Sequence, residues 1–140
     1  GAYTDAYLTE DTDPTVGGFD DDPLPYVPEW SVSLNGDYDW IVMGDATAYV
    51  GGNLSFTGDR TADFGVRTPE GSIREVPSYE TIDLRTGILF GGWSIEAYAS
   101  NLTDERGVTS VFGEGAFPNS AIGVGVIRPR TIGLTVGAAF

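Results

Sequence analysis

Apolar and polar residues alternate along five stretches of the chain with a period of two. The clearest runs from Trp30 to Trp40, where even positions are apolar or glycine and odd positions are Ser, Asn or Asp. The other four are residues 46–57, 79–90, 93–101 and 131–140. Because successive side chains of a strand point to opposite faces, each stretch predicts a strand with one apolar and one polar face. A less regular first strand is expected over residues 2–10, and no helical period occurs.

The connections alternate between short and long. Residues 41–45 and the Gly91-Gly92 pair are predicted tight turns, and the long links are residues 11–27, 58–78 and 103–128. In an up-and-down meander, this places all short turns at one end and all long links at the other. Such sorting is typical of bacterial outer-membrane barrels. The apolar run Ile41-Val42-Met43 interrupts the alternation inside the first turn, and we interpret it as a turn that dips into a membrane boundary.

Aromatic residues fall at both ends of the predicted strands. Trp40, Phe90, Trp93 and Phe140 lie at the short-turn end, while Trp30 and Phe56 lie at the far end, with Tyr79 nearby at the opposite parity. Two aromatic belts around an aliphatic band are expected where strands cross a bilayer, because amphipathic rings prefer its two boundaries. No charged residue occupies the apolar parity inside this band.

The pattern therefore assigns the two faces of an antiparallel all-β wall of about six strands. The expected lipid-facing residues are Trp30, Val32, Leu34, Tyr38, Trp40, Val50, Leu54, Phe56, Ile82, Leu84, Ile88, Phe90, Trp93, Ile95, Ile132, Leu134, Val136 and Phe140. The expected lumen-facing residues are Asn35, Asp37, Asp39, Tyr49, Asn53, Asp83, Arg85, Glu96 and Tyr98.

Composition excludes several function classes. The 140 residues contain no His and no Cys, which removes His-dependent triads, thiolate nucleophiles, zinc sites and disulfides. The formal net charge is −14, with only seven cationic residues, which disfavours binding to nucleic acid. Apolar runs are far shorter than the roughly 20 residues of a membrane-spanning helix, and no signal peptide is found. Gly1 is accordingly expected to begin a processed chain or a fragment.

Six strands are too few for a complete barrel. At about 4.8 Å between strands, they give a tube of roughly 10–13 Å backbone diameter, which the polar side chains would fill. An open sheet in lipid would expose unpaired backbone groups at two edges. We therefore expect the chain to be one sector of a larger closed wall, completed by the same parent protein, by a separate chain or by further copies.

Five motifs and the final residue carry a family resemblance. They are Leu24-Pro25-Tyr26-Val27-Pro28, Phe56-Thr57-Gly58-Asp59-Arg60, Tyr79-Glu80-Thr81-Ile82-Asp83-Leu84-Arg85, Asn101-Leu102-Thr103-Asp104-Glu105, Arg128-Pro129-Arg130-Thr131-Ile132-Gly133-Leu134 and the terminal Phe140. Together they resemble the C-terminal barrel sector of a TonB-dependent receptor, with the Asn101–Glu105 motif the most specific. The resemblance covers nearly all of residues 1–140, read as the last six of the family's about 22 strands.

The resemblance implies a location and a function. It implies part of the wall of a receptor in the bacterial outer membrane that imports a scarce nutrient, such as an iron chelate, cobalamin, nickel or a glycan. The implied partners are outer-membrane lipid, the remaining strands and plug, and an inner-membrane energy-transducing protein that acts through the N-terminal part. The plug and energy-coupling segment have no counterpart here, and no cofactor is implied. The terminal aromatic is similar to the signal read by the barrel assembly machinery.

Other candidate sites have simpler interpretations. The acidic residues Asp11, Asp13, Asp20, Asp21 and Asp22 are weak calcium candidates, because Ca²⁺ prefers carboxylate oxygens, but their spacing lacks the EF-hand pattern. A solvated external loop is the alternative. Asp37 and Asp39 share a face, yet polarity of a lumen explains them better than acid–base catalysis. Arg85 and Glu96 are expected to form an ion pair of the wall across neighbouring strands, with a substrate contact as the alternative.

One alternative function remains open at the level of sequence. A secreted β-sandwich or fibre-forming domain could use the same alternation to pack two sheets. It predicts that the apolar face meets protein instead of lipid. Enzymatic activity is not expected, because no nucleophile, base and orienting group occur in a recognisable arrangement.

Overall fold

The computed structural model describes residues 1–66, 68, 71–112 and 122–139. These residues form ten strands and no helix. The strands are β1 (Ala2–Tyr3), β2 (Trp30–Met43), β3 (Ala46–Thr57), β4 (Arg60–Thr61), β5 (Glu75–Val76), β6 (Tyr79–Phe90), β7 (Trp93–Ser100), β8 (Val108–Phe112), β9 (Gly123–Val126) and β10 (Thr131–Ala138). Within this part of the chain, no helix has the length and apolar character needed to span a membrane.

Six of the strands form one sheet in the order β1-β2-β3-β6-β7-β10. Strands of this sheet that follow one another in the chain are also neighbours in the sheet. The pairs β1–β2, β6–β7 and β7–β10 are antiparallel. The predicted all-β, six-stranded meander is thus confirmed. Among the described residues, β1 and β10 are not neighbours, so the sheet does not close on itself.

The register places the alternating side chains in rows across the sheet. Leu84 of β6 lies opposite Ala99 of β7, which lies opposite Ile132 of β10. The next row contains Arg85 and Tyr98. Directly opposite residues of neighbouring strands share a face. The apolar positions of β6, β7 and β10 therefore lie on one face of the sheet, and their polar positions lie on the other.

The turn between β2 and β3 is shorter than predicted. The expectation of a turn over residues 41–45 is wrong, because β2 continues to Met43 and only Gly44 and Asp45 form the turn. Ile41, Val42 and Met43 are exposed strand residues and not turn residues. Three apolar residues do not interrupt a strand, because ladder hydrogen bonds come from the backbone; only the alternation of faces is lost.

The first strand is also shorter than predicted. β1 covers Ala2–Tyr3, paired with Ser31 and Trp30, instead of residues 2–10. Beyond it, Tyr7 bridges to Pro23, and the Leu8 amide donates to the Asp22 carbonyl at 2.9 Å. The segment before β2 contains Pro25 and Pro28, which have no N–H to donate, and this limits an extended ladder there.

Four short strands lie inside the predicted long links. β4 pairs with β5 within residues 58–78, and β8 pairs with β9 within residues 103–128. They belong to a compact unit of residues 1–32, 56–79 and 106–127. Its core consists of Ala62, Val66, Val76 and Val111, with Tyr26 and Val108 packed against it. Strands of two to five residues are too short to show a period, so alternation did not predict them.

The second compact unit comprises residues 33–55, 80–105 and 128–140. It holds most of β2, β3, β6, β7 and β10, and carries the wall surface that the sequence singled out. Phe140 lies outside the described residues.

Candidate functional site

The polar face of the second unit carries an ion pair that crosses a strand. Arg85 Nη2 donates to Asp37 Oδ1 at 2.6 Å, and Arg85 Nε donates to the same oxygen at 3.2 Å. Asp37 is on β2 and Arg85 on β6, with β3 between them. A Cβ atom at Gly51 of β3 would collide with both Asp37 Oδ1 and Arg85 Nε. The glycine therefore provides the gap through which the pair closes.

The predicted pairing of Arg85 with Glu96 is wrong. In the register of β6 and β7, Arg85 lies opposite Tyr98, and Glu96 lies opposite Gly87. Glu96 Oε2 instead accepts a hydrogen bond from Tyr49 Oη of β3 at 2.6 Å. Alternation placed Arg85, Glu96 and Tyr49 at polar positions of their strands but did not fix which of them meet across the sheet.

Glycines on this face allow long side chains to cross neighbouring strands. A Cβ atom at Gly87 would lie 2.6 Å from Tyr49 Oη, and one at Gly133 would meet the ring and hydroxyl of Tyr98. Tyr49 thus lies over β6 on its way to Glu96, and Tyr98 lies over β10. The sequence interpretation missed this role. The available signal was the position of these glycines at the polar parity of their strands.

A chain of hydrogen bonds runs across the wall near its long-link end. Ser33 Oγ donates to Asn53 Oδ1 at 3.2 Å, and Asn53 Nδ2 donates to Asp83 Oδ2 at 3.4 Å. Asp83 Oδ1 accepts a hydrogen bond from the backbone N–H of Asn101 at 2.9 Å. Residues of β2, β3 and β6 are thereby connected to the residue that follows β7.

Asn101 closes the base of the long link between β7 and β10. Its side chain is buried, and its Nδ2 donates to the carbonyls of Glu105 at 2.9 Å and Arg128 at 3.0 Å. Its Oδ1 accepts from the Glu105 amide at 2.9 Å. Its backbone has a φ of 50°, a left-handed conformation that Asn tolerates better than most residues. We call residues 101–105 and 128–130 the link clamp.

Two further contacts complete the link clamp. Asp104 Oδ1 accepts from the Arg130 amide at 3.0 Å, and Arg130 Nη1 donates to the Leu102 carbonyl at 3.4 Å. The Leu102 amide in turn donates to the Ile82 carbonyl at 2.8 Å. The Asn101–Glu105 motif, the most specific of the five that carry the family resemblance, therefore holds the two ends of a long loop together. The sequence identified the motif but not this role.

The polar face encloses an open cavity of about 370 Å³. Seven of the nine predicted lumen-facing residues line it, namely Asn35, Asp37, Asn53, Asp83, Arg85, Glu96 and Tyr98. Tyr49 reaches it through Glu96, and Asp39 is exposed outside the lining. Three carboxylates and one guanidinium leave the lining with excess negative charge. Such a surface offers hydrogen bonds to polar solutes and repels anions.

The opposite face is apolar and largely uncovered. Ile132 is 73% exposed, Leu134 68% and Leu34 61%. Of the other predicted lipid-facing residues, Ile82 and Ile88 are half-buried, Phe140 is not described, and the rest are exposed. Tyr38 and Trp40 stack with ring centroids 5.7 Å apart. Contiguous apolar surface of this kind marks an interaction site for a protein or a membrane.

The acidic residues of the first long link contact their own backbone. Asp13 Oδ1 accepts from the Thr15 amide at 2.9 Å and from Thr15 Oγ1 at 2.6 Å, which lowers the pKa of Asp13 below its usual range. Asp11 Oδ1 accepts from the Asp20 amide and Asp22 Oδ2 from the Phe19 amide. In the part of the chain that the structure describes, no three acidic residues come close enough together to hold a metal ion.

An open antiparallel meander with one apolar and one polar face, short turns at one end and long links at the other has the architecture of a transmembrane β-barrel wall. The comparison with protein families agrees. The model described as "TonB dependent receptor-like, beta-barrel" matches residues 1–102, and the chain belongs to this family. No curated protein and no solved structure matches the chain. The family consists of outer-membrane transport receptors and not of enzymes.

Proposed function

We propose that residues 1–140 form the C-terminal sector of the barrel wall of a TonB-dependent receptor that imports a scarce nutrient across the bacterial outer membrane. The observation that carries this proposal is the contrast between the two faces of the sheet. One face presents exposed aliphatic and aromatic side chains, and the other a hydrogen-bonded polar network around a cavity. Lipid on one side and a water-filled or plug-filled lumen on the other account for both.

The free edge of β2 supports a larger barrel. Only Ser31 and Trp30 of β2 are paired with β1, so residues 32–43 have no strand on that side among the described residues. In a bilayer each unpaired backbone group costs several kcal/mol. Further strands of the same wall would satisfy this edge, which is why we assign the remaining barrel strands and a plug as partners.

Charge distribution supports the assignment of faces. On the apolar parity of β6 no charged residue occurs from Ile82 to Phe90, and none occurs on that parity in β7 or β10. A charge at the bilayer midplane of a barrel costs about 2–4 kcal/mol. The polar parity of the same strands carries Asp83, Arg85 and Glu96. The family match favours this arrangement over a secreted β-sandwich.

The proposal is tested by site-directed spin labelling. Residues 1–140 contain no cysteine, so once any cysteine elsewhere in the receptor has been replaced, a single cysteine places the label at one chosen position. We would label Leu134→Cys and its neighbour Thr135→Cys in the complete receptor, reconstituted in lipid vesicles. Position 134 is expected to be accessible to oxygen and protected from a water-soluble nickel chelate, with position 135 showing the reverse. Equal accessibility of the two positions to both reagents would contradict the proposal.

A further inference from the structure

A second cavity, of about 390 Å³, lies in the first compact unit, where β2 begins and β3 ends. Its lining combines three aromatic rings with three carboxylates, from Tyr7, Trp30, Phe56, Glu29, Asp59 and Glu75. The polar network of the wall uses none of these residues. We call this cavity the rim cavity.

Arg60, the one cation among the described residues that line the rim cavity, is engaged elsewhere. Arg60 is 8% exposed, and its guanidinium donates to the carbonyls of Gly58 at 3.3 Å and Val108 at 2.5 Å. It also lies 5.4 Å from the ring centroid of Tyr79. Glu29 and Glu75 are exposed to solvent. Three carboxylates against one committed guanidinium leave the lining with an excess negative charge.

The electrostatics at Tyr7 agree with a negative potential in the rim cavity. Asp5, and more weakly Glu29, raise the pKa of the Tyr7 hydroxyl above its usual range, as expected in a negative potential.

We propose that the rim cavity binds a small organic cation that carries a primary or methylated ammonium group. Aromatic faces attract such cations, and carboxylates add a Coulombic contribution. A metal ion fits less well, because no three acidic residues converge in the described residues. A neutral sugar would leave the excess charge unused, and an anion would be repelled. This binding does not depend on which nutrient the receptor imports.

The ammonium group has two plausible sources, a free solute or the headgroup of an outer-surface lipid. Both present the same chemical group to Trp30, so one spectroscopic probe at Trp30 reports binding from either source. The choice of detergent or lipid then distinguishes the two. Labelling with 5-fluorotryptophan adds a ¹⁹F reporter at every tryptophan of the receptor, and the signal that disappears in Trp30→Phe is assigned to Trp30.

The first experiment titrates the complete receptor with choline in a non-ionic maltoside detergent, since detergents with ammonium headgroups would compete. We expect a saturable shift of the Trp30 resonance, and no such shift with 3,3-dimethyl-1-butanol, the uncharged analogue of choline. The double substitution Glu29→Gln and Glu75→Gln should weaken binding about tenfold. Asp45→Asn, in the short turn, removes a carboxylate far along the chain from the cavity lining and should leave binding unchanged.

The second experiment places the receptor in nanodiscs of phosphatidylcholine or phosphatidylglycerol. If the lipid is the source, the Trp30 resonance is already shifted in phosphatidylcholine, and added choline has no further effect. If a free solute is the source, choline shifts the resonance equally in both lipids. The wild-type protein provides a test that needs no variant, because raising the salt concentration should weaken choline binding. Absence of a saturable shift, or an equal shift with the uncharged alcohol, would overturn the proposal.

Discussion

Replacement of Asn101 should be among the most destabilising polar substitutions in the wall. Its side chain makes three hydrogen bonds, to Glu105 N, Glu105 O and Arg128 O, and is 5% exposed. Each such bond contributes about 1 kcal/mol to stability, so their loss costs about 3 kcal/mol. Alanine also pays about 1 kcal/mol or more for the left-handed backbone at φ 50°. Asn101→Ala is therefore expected to lower the free energy of unfolding by about 4 kcal/mol.

Asn101→Gly separates the two contributions, because glycine adopts positive φ freely but makes no side-chain hydrogen bond. It should cost about 1 kcal/mol less than alanine. Asn35→Ala is the matched control, since Asn35 is exposed and its side chain donates one long hydrogen bond among the described residues, to Ser33 Oγ at 3.4 Å. Urea unfolding of the receptor in lipid vesicles, followed by gel mobility of the folded barrel, measures all three. A cost below about 1 kcal/mol for Asn101→Ala would refute the link clamp.

Three further substitutions test the rest of the structure. Leu134→Arg should cost about 2–4 kcal/mol in urea unfolding, while Thr135→Arg, opposite Glu96, should cost far less; equal costs would contradict the assignment of faces. Gly51→Ala inserts a methyl group between Asp37 and Arg85. It should therefore lower the free energy of unfolding more in the wild type than in an Arg85→Ala background, by about 1 kcal/mol. An equal effect in both backgrounds would mean that the ion pair does not close over Gly51. Hydrogen bonds from Thr15 lower the pKa of Asp13, so their stabilising effect is complete above the ordinary carboxyl pKa and is lost as the pH falls through the lowered value. In the Thr15→Val variant, carboxyl ¹³C NMR should show Asp13 titrating at a higher pH than in the wild type. Identical titrations would exclude the hydrogen bond from the Thr15 hydroxyl.

The strands that cross the wall could be predicted closely because they are two-faced over their whole length. Residues 46–57 and 79–90 are strands with the predicted bounds, and the strand predicted to begin at Trp30 begins there. The failures occur where alternation is weak or absent. Ile41–Met43 are apolar on both faces, and β4, β5, β8 and β9 are too short to show a period.

Alternation assigns faces but not partners across a sheet, and the Arg85 prediction failed for this reason. A turn of two residues at Gly91-Gly92 sets Phe90 opposite Trp93, and counting back from that pair puts Tyr98 opposite Arg85. The register of β6 and β7 could therefore have been derived from the length of this turn. What the sequence could not supply is a contact across two strands, such as Asp37 with Arg85, because it depends on the stagger of β2 and β3.

Glycine at the polar parity explains how such long contacts form. Neighbouring strands lie about 4.8 Å apart, so a bond from β2 to β6 or from β3 to β7 must pass over a full strand. Gly51 and Gly87 have no side chain, so the crossing side chains can pass close to the backbone at these two positions. Each crossing side chain thus joins two strands that are not neighbours in the sheet, whereas a ladder hydrogen bond joins two neighbours. Both of these side-chain contacts between non-neighbouring strands, Arg85 with Asp37 and Tyr49 with Glu96, lie on the polar face, so this face helps to hold the wall in register.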